Sequence, residues 1–449
     1  KQKTAYEIGV RLVGSEMCIR DSSHLVLFRS EWYALRPETE KVKLSTYVRL
    51  GGKRGGMFLP RNKYFATEKE RDIFLSTSGV STLYPGTSTM VAFPQHFNIM
   101  HTCFDGLYAI YQALLRFKPP ETPLFIIAIF DDFAVEPARA RGRLVSEDMI
   151  RRFAYPHGFV RNDALAQRHH DNVAVFETLI VGVEGLGLHQ YSHDLQLRAG
   201  VPDGLALFRD RMYRAHGLAP PAAVVRCHGA EAGRVRQGDG PCEVPRAILP
   251  NNKRFLPCVS LSRNGAMHVM RSVIERAPSV GLNMTFLDWQ VSQPDWGYTD
   301  TSFRTQLAVI ARTHVYVSAP GTAMLNHPFM PDGAVLINLG DAYRHPSRSC
   351  GFILPQYMEI DVAAATWYYQ RVLYYNSSLL TTTWRVKEIV RLMAEAATLV
   401  GTPRRDPARF TVDERTAAGV VNMPPPGRAW VMVCNTPGDP CRQAIDLIN

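Results

Sequence analysis

The sequence lacks a long apolar run. Its most apolar stretch, Leu124 to Phe130, is far shorter than the roughly 18 residues that a membrane-spanning helix needs. It also lacks an internal repeat and a biased composition, since hydrophobic residues make up 46% and charged residues 20% of the chain. This composition is typical of globular proteins and argues against a disordered, collagenous or coiled-coil chain. The length of 449 residues predicts two or three domains.

Cysteine is scarce as well. The chain has eight cysteines and no Cys-x-x-Cys pair, so the sequence predicts neither structural zinc nor a disulfide scaffold, although Cys434 and Cys441 could pair locally. The net charge of +10 is modest for this length. It suits an anionic substrate such as a nucleotide. Without a zinc finger or an RNA-binding aromatic signature, we expect no nucleic-acid partner.

Residues 1–22 resemble a translated sequencing-library adapter. The run from Leu12 to Ser22 is what one reading frame of such an adapter encodes, and residues 1–8 match its primer. We therefore expect a non-native segment with no part in the fold. Without it 427 residues remain, and the net charge becomes +9 because the segment holds four basic and three acidic residues. The native N-terminus would then be missing, together with any membrane anchor it carried.

The amino-terminal half has few clear patterns. Apolar residues recur at helical spacing from Met100 to Phe117. Leu124 to Phe130 and Val173 to Val183 read as buried strands, residues 139–168 read as polar surface, and residues 23–95 show no pattern.

Strands and helices alternate from residue 222 onward. The predicted strands cover residues 222–226, 257–262, 283–287, 315–318 and 334–339. This alternation predicts a parallel sheet built from βαβ units, and therefore an α/β fold. An amphipathic helix is predicted from Trp384 to Val400, and a proline-rich tail follows it.

A turn of small residues, Ser318 to Thr322, follows the predicted strand 315–318, and Gly321 is predicted to open the next helix. Small residues let the backbone approach a ligand, and a helix N-terminus offers free N–H groups to an anion. The carboxyl ends of parallel strands are also where ligands bind in α/β sheets. We therefore predict a pyrophosphate site at Ser318, Gly321 and Thr322. A tight packing turn is the structural alternative.

The order of these elements resembles glycosyltransferase family 61, which includes plant β-1,2-xylosyltransferases and the EGF-domain-specific O-GlcNAc transferase. The matching positions are Phe303, Gln306, Gly321, Phe329-Met330-Pro331 and the strand that ends at Asn338-Leu339. Two positions depart from the family pattern. Pro320 stands where the family has His, and Asn338 stands where it has the Glu expected to contact ribose; Asn338 could still hydrogen-bond hydroxyls.

Further segments carry the same resemblance. Arg263, with Arg271 eight residues on, resembles a Ser-Arg…Arg pattern, and an arginine at a strand end can bind phosphate through two hydrogen bonds. The Asn98…His101…Asp105 segment resembles the family's Asn-x-x-His…Asp segment. Its His and Asp lie four residues apart on one helix face, where they could deprotonate an acceptor hydroxyl. The alternative is a buried helix with satisfied polar groups.

The resemblance implies a GT-B-like fold, with two Rossmann-like domains facing a cleft. Residues 23–200 would form the acceptor-side domain and residues 201–375 the nucleotide-sugar-binding domain. Residues 376–449 would form a C-terminal helix and a loosely attached tail.

The implied activity is transfer of a sugar from a nucleotide sugar, most simply UDP-linked, to a hydroxyl of a glycan or glycoprotein acceptor. Transfer would be inverting and metal-independent, without a cofactor. The implied location is the lumen of the Golgi or endoplasmic reticulum, as a type II membrane protein if the native N-terminus carries an anchor.

Two alternatives stay open. Pro320 and Asn338 motivate a carbohydrate- or nucleotide-binding protein that kept the fold and lost catalysis. Asp131 and Asp132 follow a predicted strand, and carboxylates at a strand end could hold a divalent metal in a metal-dependent transferase.

Overall fold

The computed structural model describes the chain in two units, residues 1–186 and 187–449. The described residues are 19–20, 25–28, 31–37, 48–49, 57–58, 61–77, 82–93, 95–117, 122–130, 137–181, 204–252, 263–319, 321, 323–339, 366, 369–375 and 382–402. The predicted domain boundary near residue 200 lies outside them, and it stays a prediction.

The first unit is built on a mixed eight-stranded sheet. Its strands, together with the separate pair β4–β5, are β1 (Ile19–Arg20), β2 (Leu25–Phe28), β3 (Glu31–Pro37), β4 (Val48–Arg49), β5 (Met57–Phe58), β6 (Arg61–Phe65), β7 (Thr82–Phe93), β8 (Leu124–Phe130), β9 (Phe159–Arg161) and β10 (Val173–Val181). The sheet order is β6-β3-β2-β10-β7-β8-β9, with β1 paired to β10. Strands β10, β7, β8 and β9 run parallel. Read from β9 to β10, their chain order is 3-2-1-4, the order of a Rossmann-type sheet.

Helices pack on this sheet. They are α1 (Glu68–Thr77), α2 (Ile99–His101), a π-helix (Thr102–Leu107), α3 (Tyr108–Phe117), α4 (Pro137–Phe153) and α5 (Asn162–Arg168). The apolar β8 is almost entirely buried, as expected for a parallel strand covered on both faces. Helix α2, the π-helix and α3 follow one another directly after β7, so their first turns lie at its carboxyl end.

The second unit contains a fully parallel five-stranded sheet. Its strands, together with the hairpin β11–β12, are β11 (Val224–Arg226), β12 (Val235–Gln237), β13 (Arg246–Pro250), β14 (Asn283–Leu287), β15 (Val315–Ser318), β16 (Val335–Asn338) and β17 (Arg371–Tyr374). The sheet order is β14-β13-β15-β16-β17. In chain order this is 2-1-3-4-5, the doubly wound arrangement whose switch point lies between the first and third strands.

The helices of the second unit are α6 (Gly204–Ala215), α7 (Arg263–Arg276), α8 (Phe303–Ile310) and α9 (Thr382–Leu399), with short 3₁₀ turns between them. The predicted C-terminal helix is α9, and its apolar face lies in the core of this unit through Ile389, Met393 and Ala396. The unit therefore extends past residue 375, the predicted end of its domain.

The structure confirms the α/β class and its parallel sheets. Strands β8, β14 and β15 have their predicted bounds. The prediction of polar surface over residues 139–168 is wrong, because Met149, Ile150 and Phe153 form a buried face on α4. The predicted strand over 257–262 lies outside the described residues, and the strand next to β14 is β13, which the sequence did not reveal.

A disulfide joins Cys227 and Cys242 in the second unit. It closes the β11–β12 hairpin region. The scarcity of cysteine led us to expect no such scaffold, and the spacing of the two residues gave no signal. Within the part of the chain that is described, no helix is long and apolar enough to cross a membrane.

Candidate functional site

The first candidate site is the His101–Asp105 pair. The ring Nδ1 of His101 lies 2.7 Å from Oδ2 of Asp105. The Asp105 side chain is 7% exposed and the His101 side chain 22% exposed. The carboxylate is thus buried against the imidazole, while the imidazole keeps some access to solvent. The structure therefore brings together the two residues that the sequence predicted as a catalytic pair.

The start of the helical segment fixes this pair. The side chain of Asn98 accepts a hydrogen bond from the N–H of Met100 and caps the first turn. The pair then spans α2 and the π-helix, a rare element that often marks functional sites. Gln95 precedes the cap in a left-handed conformation, with φ of 53°, a region that residues other than glycine seldom adopt. The sequence predicted a regular α-helix here and gave no sign of the π-helix.

Two glycines allow neighbouring elements to approach the pair closely. A Cβ at Gly106 would overlap the ring of Phe93, and a Cβ at Gly142 would overlap the carbonyl oxygen of Phe97. The π-helix therefore packs on the last residue of β7, and α4 packs on the turn that precedes Asn98. This close packing fixes the backbone of the segment that carries His101 and Asp105.

Strands β8 and β9 of the first unit end in an aromatic side chain and a basic side chain, respectively. The Phe130 ring, at the end of β8, lies 4.7 Å from the His96 ring. The guanidinium carbon of Arg161, at the end of β9, lies 5.4 Å from the Phe130 ring. Asp131 and Asp132, the alternative metal ligands, lie outside the described residues.

The second candidate site is the carboxyl edge of the five-stranded sheet. At its switch point the side-chain amide of Asn252, just after β13, donates a 2.7 Å hydrogen bond to the carbonyl oxygen of Ala319, just after β15. Asn252 is 9% exposed. The hydroxyl of Ser318 donates to the same carbonyl at 2.9 Å. The two strands that flank the switch point are thus joined at the turn predicted to bind pyrophosphate.

The turn itself is partly described. Gly321 is buried, with φ of 129°, a backbone conformation that favours glycine. Pro320 and Thr322 lie outside the described residues. The α-helix predicted to open at Gly321 is instead a six-residue 3₁₀-helix, Met324–Phe329. Pro328 lies inside it, and a proline cannot continue an α-helix because it lacks the N–H. Anion binding here would therefore depend on the turn itself.

Tyr316 of β15 anchors the end of the turn. Its hydroxyl donates a 2.7 Å hydrogen bond to the carbonyl oxygen of Ala323. Burial raises the pKa of Tyr316, so the phenol stays protonated and remains a donor. The bond to Ala323 ties β15 to the residue that precedes the 3₁₀-helix.

The remaining predicted nucleotide contacts lie on β16 and α7. Asn338 is the last residue of β16 and is 3% exposed. Arg271 is exposed on α7. Arg263, predicted at a strand end, is instead the first residue of α7, and its side chain lies outside the described part of the chain.

The apolar residues that match the family 61 pattern lie in the core of the second unit. Phe303 packs edge-on against Phe329, with ring centroids 5.6 Å apart. The hydroxyl of Tyr213 donates to the carbonyl oxygens of Leu307 and Phe329, at 3.0 and 2.8 Å. These residues keep α6, α8 and the 3₁₀-helix together beneath the turn.

The sequence missed Asn252, Tyr316 and Asp288 as residues of the carboxyl edge. Asn252 and its neighbour follow β13, so recognising the apolar run of Arg246 to Pro250 as a strand would have pointed to them. Asp288 directly follows β14, a strand whose bounds the sequence did predict. A search for polar residues after every strand would have found it.

No family model and no curated protein matches the sequence. Among solved structures, the chain is similar to the bacterial iron-containing dodecameric glycosyltransferase TibC from enterotoxigenic E. coli H10407. The sequence identity is 13%, the alignment covers 76% of this chain and 73% of that chain, and the TM-score is 0.28. A glycosyltransferase is thus a structural neighbour, but at a TM-score too low to carry an argument about fold or chemistry.

Proposed function

We propose that this chain is a glycosyltransferase that moves a sugar from a nucleotide sugar, UDP-linked, to a hydroxyl of a glycan or glycoprotein acceptor. The observation that carries the proposal is the 2.7 Å contact between the His101 imidazole and the buried Asp105 carboxylate. An imidazole that donates its Nδ1 proton to a carboxylate presents Nε2 as a base of fixed orientation. The resemblance to family 61 supplies the reaction class.

In the proposed reaction, Nε2 of His101 takes the proton of the acceptor hydroxyl. The acceptor oxygen attacks the anomeric carbon and forms the new glycosidic bond. The bond from that carbon to the phosphate oxygen breaks, and UDP leaves with the electron pair. Attack opposite to the leaving group inverts the anomeric centre. Asp105 stabilises the imidazolium that forms, in the way that a buried carboxylate supports a histidine base elsewhere.

The donor side of the proposal uses the carboxyl edge of the five-stranded sheet. Ser318, Gly321 and Thr322 would hold the diphosphate, and Arg263 and Arg271 would offset the charge that develops on UDP. The support is the preorganised turn, whose carbonyl at Ala319 is already bonded to Asn252 and Ser318. The GT-B arrangement of the two domains and independence from metal are further parts of the proposal.

We also propose a location in the lumen of the Golgi or endoplasmic reticulum, as a type II membrane protein if the native N-terminus carries an anchor. The Cys227–Cys242 disulfide supports this, because disulfides persist in oxidising compartments and are rare in the cytosol. Expression in cells followed by thiol labelling without reduction would test it. Labelling of Cys227 in the native protein would count against a luminal location.

The central experiment measures UDP binding and UDP release from UDP-sugars, with mixed glycans as acceptors. We expect Arg263→Ala to raise the dissociation constant for UDP more than tenfold, and an unchanged constant would remove Arg263 from the site. Binding without turnover would favour the binding protein that Pro320 and Asn338 motivate. Activity that disappears with EDTA and returns with Mn²⁺ would favour the metal-dependent transferase and place Asp131 and Asp132 at its centre.

A further inference from the structure

Asp288 lies beside the switch point of the second unit. It is the first residue after β14, and β14 neighbours β13, the strand on one side of the switch point. Neighbouring strands are about 4.8 Å apart, so the end of β14 lies about 10 Å from the turn that follows β15. The carboxyl ends of all three strands meet at one edge, where doubly wound sheets bind nucleotides.

The carboxylate of Asp288 is held in a fixed orientation. Its Oδ2 accepts a 2.8 Å hydrogen bond from the side-chain amide of Asn251, and its Oδ1 accepts a 2.9 Å bond from the N–H of Gln290. The N–H of Asp288 itself donates to Oε1 of Gln293 at 3.2 Å. Because an ionised carboxylate can accept about four hydrogen bonds, each oxygen keeps capacity for one more.

We propose that Asp288 binds the ribose hydroxyls of the nucleotide donor, an inference that rests on the proposed function. A carboxylate repels phosphate but accepts hydrogen bonds from hydroxyls, so its partner at this edge is the sugar of the nucleotide. Two oriented oxygens with one free acceptor position each match the two vicinal hydroxyls of a ribose. Asn251 is the positioning residue that sets the angle of the carboxylate.

Asp288 is a better candidate for this contact than Asn338. Asn338, whose position matches the family's glutamate, is 3% exposed, whereas Asp288 is only half-buried. The order of the sheet also places Asn338 on the far side of β15 from β14. A nucleotide with its diphosphate at the turn after β15 can extend toward β14 with its ribose in front of Asp288.

The test compares binding of UDP, 2′,3′-dideoxy-UDP and pyrophosphate by calorimetry. We expect Asp288→Asn to weaken UDP about tenfold or more, because it removes a charged acceptor from two hydrogen bonds. The same variant should leave dideoxy-UDP unchanged, since that ligand has no hydroxyls to donate. Pyrophosphate should bind equally well or slightly better once the negative charge is gone. Asn251→Ala should show the same pattern with a smaller loss.

Asp295→Asn is the matched control, because Asp295 is an exposed aspartate in the 3₁₀ turn Pro294–Trp296 of the same segment. It should bind all three ligands like the wild type. Equal weakening of UDP and dideoxy-UDP by Asp288→Asn would mean that Asp288 only shapes the edge, and would overturn the ribose assignment. So would an unchanged UDP affinity. Failure of the wild-type chain to bind UDP would instead overturn the proposed function.

Discussion

The two parallel sheets of this protein carry different chemistry at their carboxyl edges. In the first unit the edge holds a titratable pair, with a half-buried imidazole against a buried carboxylate. In the second unit, side chains donate hydrogen bonds to main-chain carbonyls. The carbonyl of Ala319 accepts from Asn252 and Ser318, and the carbonyl of Ala323 accepts from Tyr316. Proton transfer needs a group that can change its charge and reach its partner. Holding an anion needs a backbone that is oriented before the ligand arrives. In the proposed function, the first edge therefore supplies the proton transfer and the second edge the binding of the donor.

Removing the charge of Asp105 should have the largest effect. Asp105→Asn keeps the shape of the side chain and removes the support for an imidazolium at His101. We expect sugar transfer to fall by a hundredfold to ten-thousandfold, the range of about 10² to 10⁴ typical for general acid–base catalysis, with UDP affinity unchanged. Steady-state transfer rates and UDP calorimetry check this.

His170→Ala is the control for that prediction, because His170 is an exposed histidine of the same unit. Its transfer rate should equal that of the wild type. If Asp105→Asn lost UDP affinity and kept its turnover, the division between a chemical edge and a binding edge would be reversed.

Arg209 should contribute strongly to the stability of the second unit. Arg209 is 5% exposed, and its Nη1 donates to Oδ1 of Asp332 at 2.6 Å and to the carbonyl oxygen of Met330 at 3.1 Å. Arg209→Met should lower the free energy of unfolding by about 3 kcal/mol, the low end for a broken buried pair because Asp332 is partly exposed. Urea unfolding with hydrogen-exchange mass spectrometry would measure the loss and locate it.

Arg214→Met, on the exposed side of the same helix, should change stability by less than about 0.5 kcal/mol. We expect exchange to accelerate in peptides of residues 204–402 and not in those of residues 19–181. Equal acceleration in both would show that the two units unfold together.

The parts of the fold that could be predicted are those with a strong apolar signal. Strand β8 consists of seven apolar residues, and buried parallel strands have this composition. Strand β13 was missed because it begins with Arg246, ends with Pro250 and follows a loop rich in glycine and proline. Helix α4 was missed because its arginines dominate the composition, while three apolar residues, Met149, Ile150 and Phe153, form its buried face.

The candidate site could be predicted only where spacing along one element decides proximity. His101 and Asp105 lie four residues apart in one helical segment, so the sequence was sufficient to bring them together. The contact of Asn252 with Ala319 joins residues 67 positions apart. It depends on which strands are neighbours, and local patterns do not contain that order.

Acid should weaken the second unit selectively. Burial lowers the pKa of His314 to about 4, helped by Arg246, and burial lowers the pKa of His327 to about 4 although Gln370 opposes the shift. The unfolded chain therefore binds more protons than the folded one between about pH 6.5 and 4, and stability is lost as the pH falls through that window. We expect a loss of about 2 kcal/mol per histidine between pH 7 and pH 5.

Urea unfolding at the two pH values, with hydrogen exchange to separate the units, measures this loss. His327→Gln should reduce the pH dependence of the stability of the second unit by about half. Hydrogen exchange in the first unit should respond to pH as it does in the wild type. A pH dependence that stays the same in His327→Gln and His314→Gln would mean that neither histidine is the cause, and the contrast between the two units would then lie elsewhere.

The smallest expected effect tests the edge of the first sheet. Ile19 and Arg20 belong to the segment that resembles an adapter, yet they pair with Val181 and Ile180 as the short strand β1. Each main-chain hydrogen bond contributes about 1 kcal/mol net, and ordering each residue costs about as much. Deleting residues 1–22 should therefore lower the free energy of unfolding by less than about 1 kcal/mol. Deletion of residues 1–18, which keeps β1, is the matched control. A loss of several kcal/mol in the longer deletion alone would show that β1 is a native strand, because a foreign segment has no reason to fit that edge. The adapter interpretation would then be wrong at least from Ile19 onward.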